Sequence, residues 1–142
     1  METIARRADE IVDEFAFFED WMEKYEHLIE LGRALPLIED RYKTEEYRVH
    51  GCQAQVWLHA EHDGGVVRYR ADSDALITKG LIALLVRVFS GQPPEAVAAA
   101  RLDFLGRIGL DEHLSPTRKN GLAAMVRRMK HYALAFSETA KN

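Results

Sequence analysis

Cys52 is the only cysteine among the 142 residues of the chain, and it stands between Gly51 and Gln53. Glycine lets the backbone turn tightly, and glutamine is a poor neighbour for a deeply buried side chain. A buried free cysteine packs as a small hydrophobic residue, whereas a cysteine on an accessible polar turn can act as a nucleophile. The turn context favours the second interpretation, so Cys52 is the candidate reactive thiol.

A thiol needs a base or a positive environment to become the thiolate that attacks. His50 lies two positions before Cys52 and can tune the pKa of the thiol if the segment is extended. Polar residues at a turn more often simply face water, so this role stays open. His59 and His62 have no metal-binding motif around them. We therefore expect no metal site.

Two further pairs of charged residues have more than one interpretation. Asp72 and Asp74 occupy a short connection where paired carboxylates can act as acid and base, although capping the next helix explains them more simply. Arg118 and Lys119 fall in the first turn of the last predicted helix, where cations oppose the helix dipole. They are either solvated or in contact with a partner.

Length and composition fit one globular domain, residues 1–142, with 47% hydrophobic and 30% charged residues. The net charge is −4, and it divides into −7 over residues 1–48 and +4 over residues 101–142. This balance argues against general nucleic-acid binding and is compatible with a charge-steered protein partner. No apolar run is long enough to cross a bilayer, no signal peptide is recognisable, and no disulfide framework exists. We expect a cytoplasmic protein.

The periodicity of the apolar residues predicts an α+β fold, with a short antiparallel sheet of about three strands packed against helices. Asp63-Gly64-Gly65 is typical of a hairpin turn. The predicted strands are 46–50, 54–61 and 66–71, and the predicted helices are 3–18, 21–34, 75–90, 94–100 and 116–137.

Four strings, in this order and spacing, resemble the SufE/CsdE family of sulfur acceptors. They are YEHLIELGRALP (25–36), VHGCQAQVW (49–57), ADSDALITKGLIALL (71–85) and LSPTRKNGL (114–122). The resemblance covers roughly residues 10–137. It implies a fold similar to that of IscU-type scaffolds, and a protein that takes persulfide sulfur from a PLP-dependent cysteine desulfurase, stimulates that enzyme and passes the sulfur on for iron–sulfur cluster assembly.

The resemblance also implies roles for single residues. Cys52 matches the acceptor cysteine that carries the persulfide, with Gly51, Gln53 and His50 as possible support. Asp74 and Arg118 are candidates for partner docking. No cofactor of its own is implied, since the PLP belongs to the desulfurase; the partners are that enzyme and a downstream cluster scaffold or other sulfur acceptor.

The chain departs from the family pattern at three positions, where it has Ala54, Thr78 and Thr117 in place of the usual serine, valine and serine. If that first serine helps to position the sulfur, Ala54 puts the contribution in doubt. Two alternatives to a sulfur carrier remain: a regulator that activates the desulfurase without carrying sulfur, and a thiol enzyme that acts alone.

Overall fold

The computed structural model describes residues 2–51 and 54–141. Helices predominate. They are α1 (Ile4–Phe15), α2 (Trp21–Arg33), α3 (Leu76–Phe89), α4 (Pro94–Ala99), α5 (Phe104–Arg107) and α6 (Pro116–Lys141). Five of the six α-helices in this described part of the chain match predicted ones, with ends that differ by up to four residues, and α5 was not predicted. In the described ranges, no helix is both long and apolar enough to cross a membrane.

The sheet is an antiparallel hairpin of β1 (Val56–Asp63) and β2 (Val66–Ser73). Asp63 pairs with Val66, so Gly64 and Gly65 alone form the turn. Both glycines have positive φ, 59° and 84°, which a primed two-residue hairpin turn requires. The predicted hairpin is therefore confirmed.

The predicted first strand over 46–50 does not form among the described residues. A 3₁₀ turn occupies Glu45–Tyr47, and only Arg48 makes an isolated bridge, to Trp57 in β1. The ring of Tyr47 lies edge-on to those of Tyr42 and His59, so side-chain packing rather than strand pairing fixes this segment. The sheet has two strands instead of about three, and the α+β class is confirmed.

Helices α3 and α6 pack against the hairpin and enclose the core. Leu81, Leu85 and Val88 of α3 are buried, as are Met125 and Met129 of α6. The hydroxyl of Tyr69 in β2 donates a hydrogen bond of 2.6 Å to the backbone carbonyl of Met129. Burial raises the pKa of this hydroxyl, so it stays protonated and ties the sheet to α6.

Close contact between α2 and α3 depends on Gly32 and Gly80. A Cβ atom at Gly80 would lie 2.2 Å from the backbone carbonyl oxygen of Leu28, and one at Gly32 would lie 2.9 Å from the backbone nitrogen of Gly80. Neither distance is compatible with a side chain. The two glycines therefore set how closely these helices approach.

Side chains cap the starts of α2 and α6, whereas the predicted cap of α3 is absent. Asp20 accepts a hydrogen bond from the backbone N–H of Glu23, and Ser115 accepts one from that of Arg118. At the start of α3 the cap position is Ala75, without a side-chain hydrogen bond. The prediction that Asp72 or Asp74 caps this helix is wrong, because both carboxylates have other partners.

Candidate functional site

Residues 48–57, the Cys52 segment, begin and end at backbone positions that pair with each other. The backbone N–H of Val49 donates to the carbonyl of Val56 at 2.8 Å, and Arg48 and Trp57 form the bridge beyond it. Gly51 has a φ of 96°, a conformation that residues with a side chain rarely adopt. Cys52 and Gln53 lie outside the described residues, so the site is built from the residues on either side of them.

Asp74 is hydrogen-bonded to the part of this segment that follows Cys52, at Gln55. Its carboxylate accepts a hydrogen bond of 3.0 Å from the backbone N–H of Gln55, and its own N–H donates to the carbonyl of Gln55 at 3.3 Å. The side chain of Asp74 is thus a clamp between the Cys52 segment and the start of α3. Asp74 is also exposed, so it stays accessible to a partner.

A cavity of about 140 Å³ opens beside Ala54. Its walls come from three separate parts of the chain: the Cys52 segment, α3 and the first half of α6. Most of the lining is apolar, with Arg118 as the charged residue. The wall residues are Ala54, Val56, Ala75, Thr78, Leu81, Ile82, Thr117, Arg118, Gly121, Leu122 and Met125.

These walls bring three of the recognised strings together. Residues 49–57, 71–85 and 114–122 are distant in sequence, yet each contributes side chains to the one cavity. All three departures from the family pattern, Ala54, Thr78 and Thr117, also lie on this wall. The departures therefore change the lining of a single space, where a methyl replaces the expected hydroxyl at position 54 and a hydroxyl replaces a methyl at position 78.

Asp72 is buried and forms ion pairs with two lysines. Its two carboxylate oxygens lie 3.0 Å from Nζ of Lys43 and 3.1 Å from Nζ of Lys79. Burial acts to raise the pKa of this carboxyl, but the two lysines and the N–H of Ser73 outweigh it and hold the pKa below its usual value. Asp72 is therefore an ionised structural anchor and is unsuited to serve as a general acid.

Arg118 and His50 are both exposed but have different surroundings. Arg118 lines the cavity and makes no side-chain hydrogen bond or ion pair to another described residue, so its guanidinium can take a partner. The ring Nε2 of His50 lies 3.0 Å from a carboxylate oxygen of Glu45, with both side chains about 70% exposed. His50 is consequently held toward Glu45 by a surface contact.

A basic groove of about 330 Å³ lies on the other side of the Cys52 segment. Arg48 and His50 line it from that segment, and Arg127, Arg128 and His131 line it from α6. Sequence reasoning missed this groove. The spacing of the three α6 residues indicates one helix face, but nothing in the sequence brings Arg48 to that face.

Comparison with known proteins assigns the chain to a family. The profile of the SufE family, described as an Fe-S metabolism associated domain, matches residues 9–133. The chain belongs to the SufE family. Its membership accounts for the shared strings around the cavity, and it associates the chain with iron–sulfur metabolism at the level of the domain.

Two relatives and one solved structure extend the match. An uncharacterized SufE-like protein of Rhizobium meliloti (strain 1021) is 43% identical over 130 residues, covering 88% of this chain and 93% of the relative. SufE-like protein 1, chloroplastic/mitochondrial, of Arabidopsis thaliana is 40% identical over 136 residues, covering 94% of this chain and 36% of that longer protein. The solution structure of a hypothetical protein from Thermus thermophilus has a TM-score of 0.76 and 27% identity, covering 91% of this chain and 94% of its own.

Metal ligands do not cluster in the part of the chain that the structure describes. No three His, Cys, Asp or Glu side chains within residues 2–51 and 54–141 are placed to hold a metal ion. His59, one of the two histidines considered from the sequence, instead stacks on the ring of Tyr42 with centroids 3.7 Å apart. Its role in this structure is packing.

Proposed function

We propose that this SufE-family chain is a sulfur carrier. Cys52 takes sulfur from the persulfide of a PLP-dependent cysteine desulfurase, stimulates that enzyme by unloading it, and passes the sulfur on toward iron–sulfur cluster assembly. The family's association with Fe-S metabolism supports this proposal. Given the chain's single thiol, we also propose a reducing compartment, the cytoplasm, as its location.

The main observation behind the proposal is the cavity beside Ala54, in the Cys52 segment. Ala54 and Val56 of that segment form one wall, and the family strings in α3 and α6 supply the others. A mainly apolar space of about 140 Å³ can shield a sulfur terminus from water and from soluble reductants. A carrier needs this protection, because an exposed persulfide loses its sulfur to any thiol that attacks it.

The transfer is an exchange between sulfur atoms. The Cys52 thiolate attacks the terminal sulfur of the desulfurase persulfide, a new S–S bond forms on Cys52, and the old S–S bond breaks. The desulfurase cysteine leaves as a thiolate, so no external oxidant or reductant is consumed. The rate depends on the thiolate fraction of Cys52, on the pKa of the leaving thiol and on access.

A single cysteine suits this chemistry. A second thiol near Cys52 would attack the new persulfide, close a disulfide and release the sulfur as sulfide. With one cysteine in 142 residues the chain cannot do this within itself. The same count argues against holding a cluster on its own residues, since clusters are bound by several cysteines.

The supporting residues have different roles in this proposal. Gly51 provides the turn with its positive φ, and the backbone amides of Gly51 and Gln53 are proposed to favour the thiolate. His50 is a weaker candidate because it is held toward Glu45. Asp74 precedes Ala75 of the cavity wall, and Arg118 lines the cavity; both are proposed to contact the desulfurase.

Intact-mass spectrometry tests the proposal directly. The protein is incubated with a cysteine desulfurase and cysteine, and we expect a gain of about 32 Da, one sulfur atom, that maps to Cys52 and is removed by reductant. Cys52→Ala is the matched control and gains nothing. Absence of the adduct on the wild-type chain would rule out the acceptor role.

Cys52→Ser separates the carrier from the regulator. Serine keeps the size of the side chain but cannot form a persulfide. If the variant binds the desulfurase and fails to stimulate it, the carrier role is supported. Full stimulation by the serine variant would instead identify a regulator, and turnover without any desulfurase would identify a thiol enzyme that acts alone.

A further inference from the structure

The basic groove is formed by two parts of the chain that the fold brings together. Ala124, Arg127, Arg128 and His131 follow the i, i+3, i+4 and i+7 spacing of one face of α6. Arg48, Val49 and His50 form the facing wall. A Cβ atom at Gly51 would lie 3.3 Å from the Cβ of Ala124, so the groove reaches the residue next to Cys52.

The charge of the groove is only partly neutralised within the chain. Glu45 is the carboxylate at its edge, 3.8 Å from Arg48 and 3.0 Å from His50. Arg128 stacks over the ring of Tyr132, at 5.1 Å from its centroid. Arg127 and His131 make no side-chain hydrogen bond or ion pair to any residue in the ranges 2–51 and 54–141. Three arginines against one carboxylate leave the groove positive.

Docking on the Cys52 segment must cover this groove. A sulfur donor has to bring its own cysteine within bonding distance of Cys52, and His50 and Gly51 lie on the groove side of that segment. An arginine that loses its water in an interface without gaining a carboxylate weakens binding. The surface that covers the groove therefore has to supply negative charge.

We propose that the basic groove binds an acidic patch of the sulfur donor, with at least two Asp or Glu side chains placed near the donor's reactive cysteine. Arg127 and Arg128 pair with these carboxylates. The occupant is a folded acidic surface and not a long polyanion, because the whole chain carries −4 and its first 48 residues carry −7. The inference rests on the proposed function for the identity of the partner.

Charge reversal at one residue tests the groove. Arg127→Glu alters an exposed side chain that has no hydrogen-bond or ion-pair partner among the described residues, so we expect the fold to be retained. Arg101→Glu is the matched control, since it makes the same change of charge at an exposed arginine outside the groove. The readout is the affinity for the cysteine desulfurase of the same organism, with thermal unfolding of each variant as a check.

We expect Arg127→Glu to weaken binding at least tenfold, Arg127→Lys to restore most of it, and Arg101→Glu to stay within about twofold of wild type. The loss should shrink as salt rises from about 0.1 M to about 1 M, over which the Debye length falls from about 10 Å to about 3 Å. Equal losses for the two reversals, or no loss for Arg127→Glu, would overturn the inference. Binding of a single DNA strand instead of the desulfurase, with the same dependence on Arg127, would also overturn it.

Binding and sulfur loading fail separately, so the two proposals can be told apart. In one outcome, the wild-type chain binds the desulfurase, Arg127→Glu weakens that binding, and Cys52 gains no sulfur. This result supports the groove proposal and contradicts the carrier proposal. In the opposite outcome, Cys52 of the wild-type chain gains sulfur and Arg127→Glu binds the desulfurase as tightly as wild type. This result supports the carrier proposal and contradicts the groove proposal. A wild-type chain that does not bind the desulfurase contradicts both.

Discussion

Asp74 and Gln55 are joined by two reciprocal hydrogen bonds, one from the N–H of Gln55 to the carboxylate of Asp74 at 3.0 Å and one from the N–H of Asp74 to the carbonyl of Gln55 at 3.3 Å. A residue considered from the sequence for helix capping and for docking is thus bonded to the segment that carries Cys52. Any partner that draws the carboxylate of Asp74 away also frees that segment. If Asp74 docks the desulfurase as proposed, docking and release of the segment are coupled through this one side chain.

Asp74→Ala tests this coupling. Removing the carboxylate leaves the N–H of Gln55 with water as its partner, at a net cost of about 1 kcal/mol for the local structure. We expect amide hydrogen exchange over residues 54–57 to quicken about fivefold, since that free-energy change corresponds to such a factor. The measurement is hydrogen exchange followed by peptide mass spectrometry.

Asp63→Ala is the control for this change, because it removes an exposed carboxylate at the far end of β1. Asp74→Asn adds a second comparison, since it keeps an acceptor oxygen and loses the charge. If Asp74 docks through its charge, the asparagine variant binds the desulfurase more weakly while the exchange of Gln55 stays close to wild type. Equal rates of amide hydrogen exchange over residues 54–57 in Asp74→Ala and Asp63→Ala would show that the Asp74 carboxylate does not stabilise this segment.

Local patterns were sufficient to predict most of the elements. Gly64 and Gly65 define the hairpin because few other residues adopt the two positive φ values of its turn. The prediction of a strand over 46–50 is wrong because ring contacts hold this segment in place of strand pairing. The ring of Tyr47 contacts those of Tyr42 and His59. Those contacts are tertiary, and no local pattern encodes them.

The surroundings of the candidate site were less predictable than its position in the sequence. Cys52 stands out as the only thiol, but the cavity needs Ala54, Thr78 and Arg118 to meet in space. The basic groove similarly needs Arg48 to face Arg127 across a separation of almost eighty residues. Asp72 was expected to cap a helix because aspartate favours that position; two lysines from different elements gave it an ionic role instead.

Gly80→Ala should be strongly destabilising although alanine favours helices. A Cβ atom at this position would lie 2.2 Å from the backbone carbonyl oxygen of Leu28, so α2 and α3 would have to move apart. We expect a loss of about 3 kcal/mol in the free energy of unfolding, despite a gain of about 1 kcal/mol in helix propensity. Urea denaturation measures the loss, and Ala123→Gly, on the exposed face of α6, isolates the propensity effect. A Gly80→Ala variant as stable as wild type would contradict the close packing.

His59 should make stability depend on pH in the weakly acidic range. Burial lowers the pKa of its imidazole, and the nearby Arg41 and Arg70 act in the same direction, against the carboxylate of Glu61 at 3.8 Å from Nδ1. The unfolded chain therefore binds the proton more readily, and stability falls as the pH drops below about 6.5. His59→Phe keeps the ring stacked on Tyr42 and removes the titration.

We expect His59→Phe to gain about 1 kcal/mol relative to wild type between pH 7 and pH 5, because one titrating group changes stability by at most about 1.4 kcal/mol per pH unit. Urea denaturation at several pH values gives the difference between the two proteins. A difference that stays constant from pH 7 to pH 5 would show that His59 does not titrate differently on folding.

Asp72→Asn should remove stability at neutral pH and have little effect in acid. The carboxylate lies 3.0 Å from Lys43 and 3.1 Å from Lys79, and these bonds hold its pKa below the ordinary 3.8. A lowered folded pKa means that the stabilisation is complete above about pH 4 and is lost as the pH falls through the folded value. We expect the asparagine variant to lose about 2 kcal/mol at pH 7, typical of hydrogen bonds to a charged group. The deficit should shrink below pH 4, whereas the exposed Asp63→Asn should change stability little; a deficit as large in acid as at pH 7 would mean that the loss comes from packing and not from the charge of Asp72.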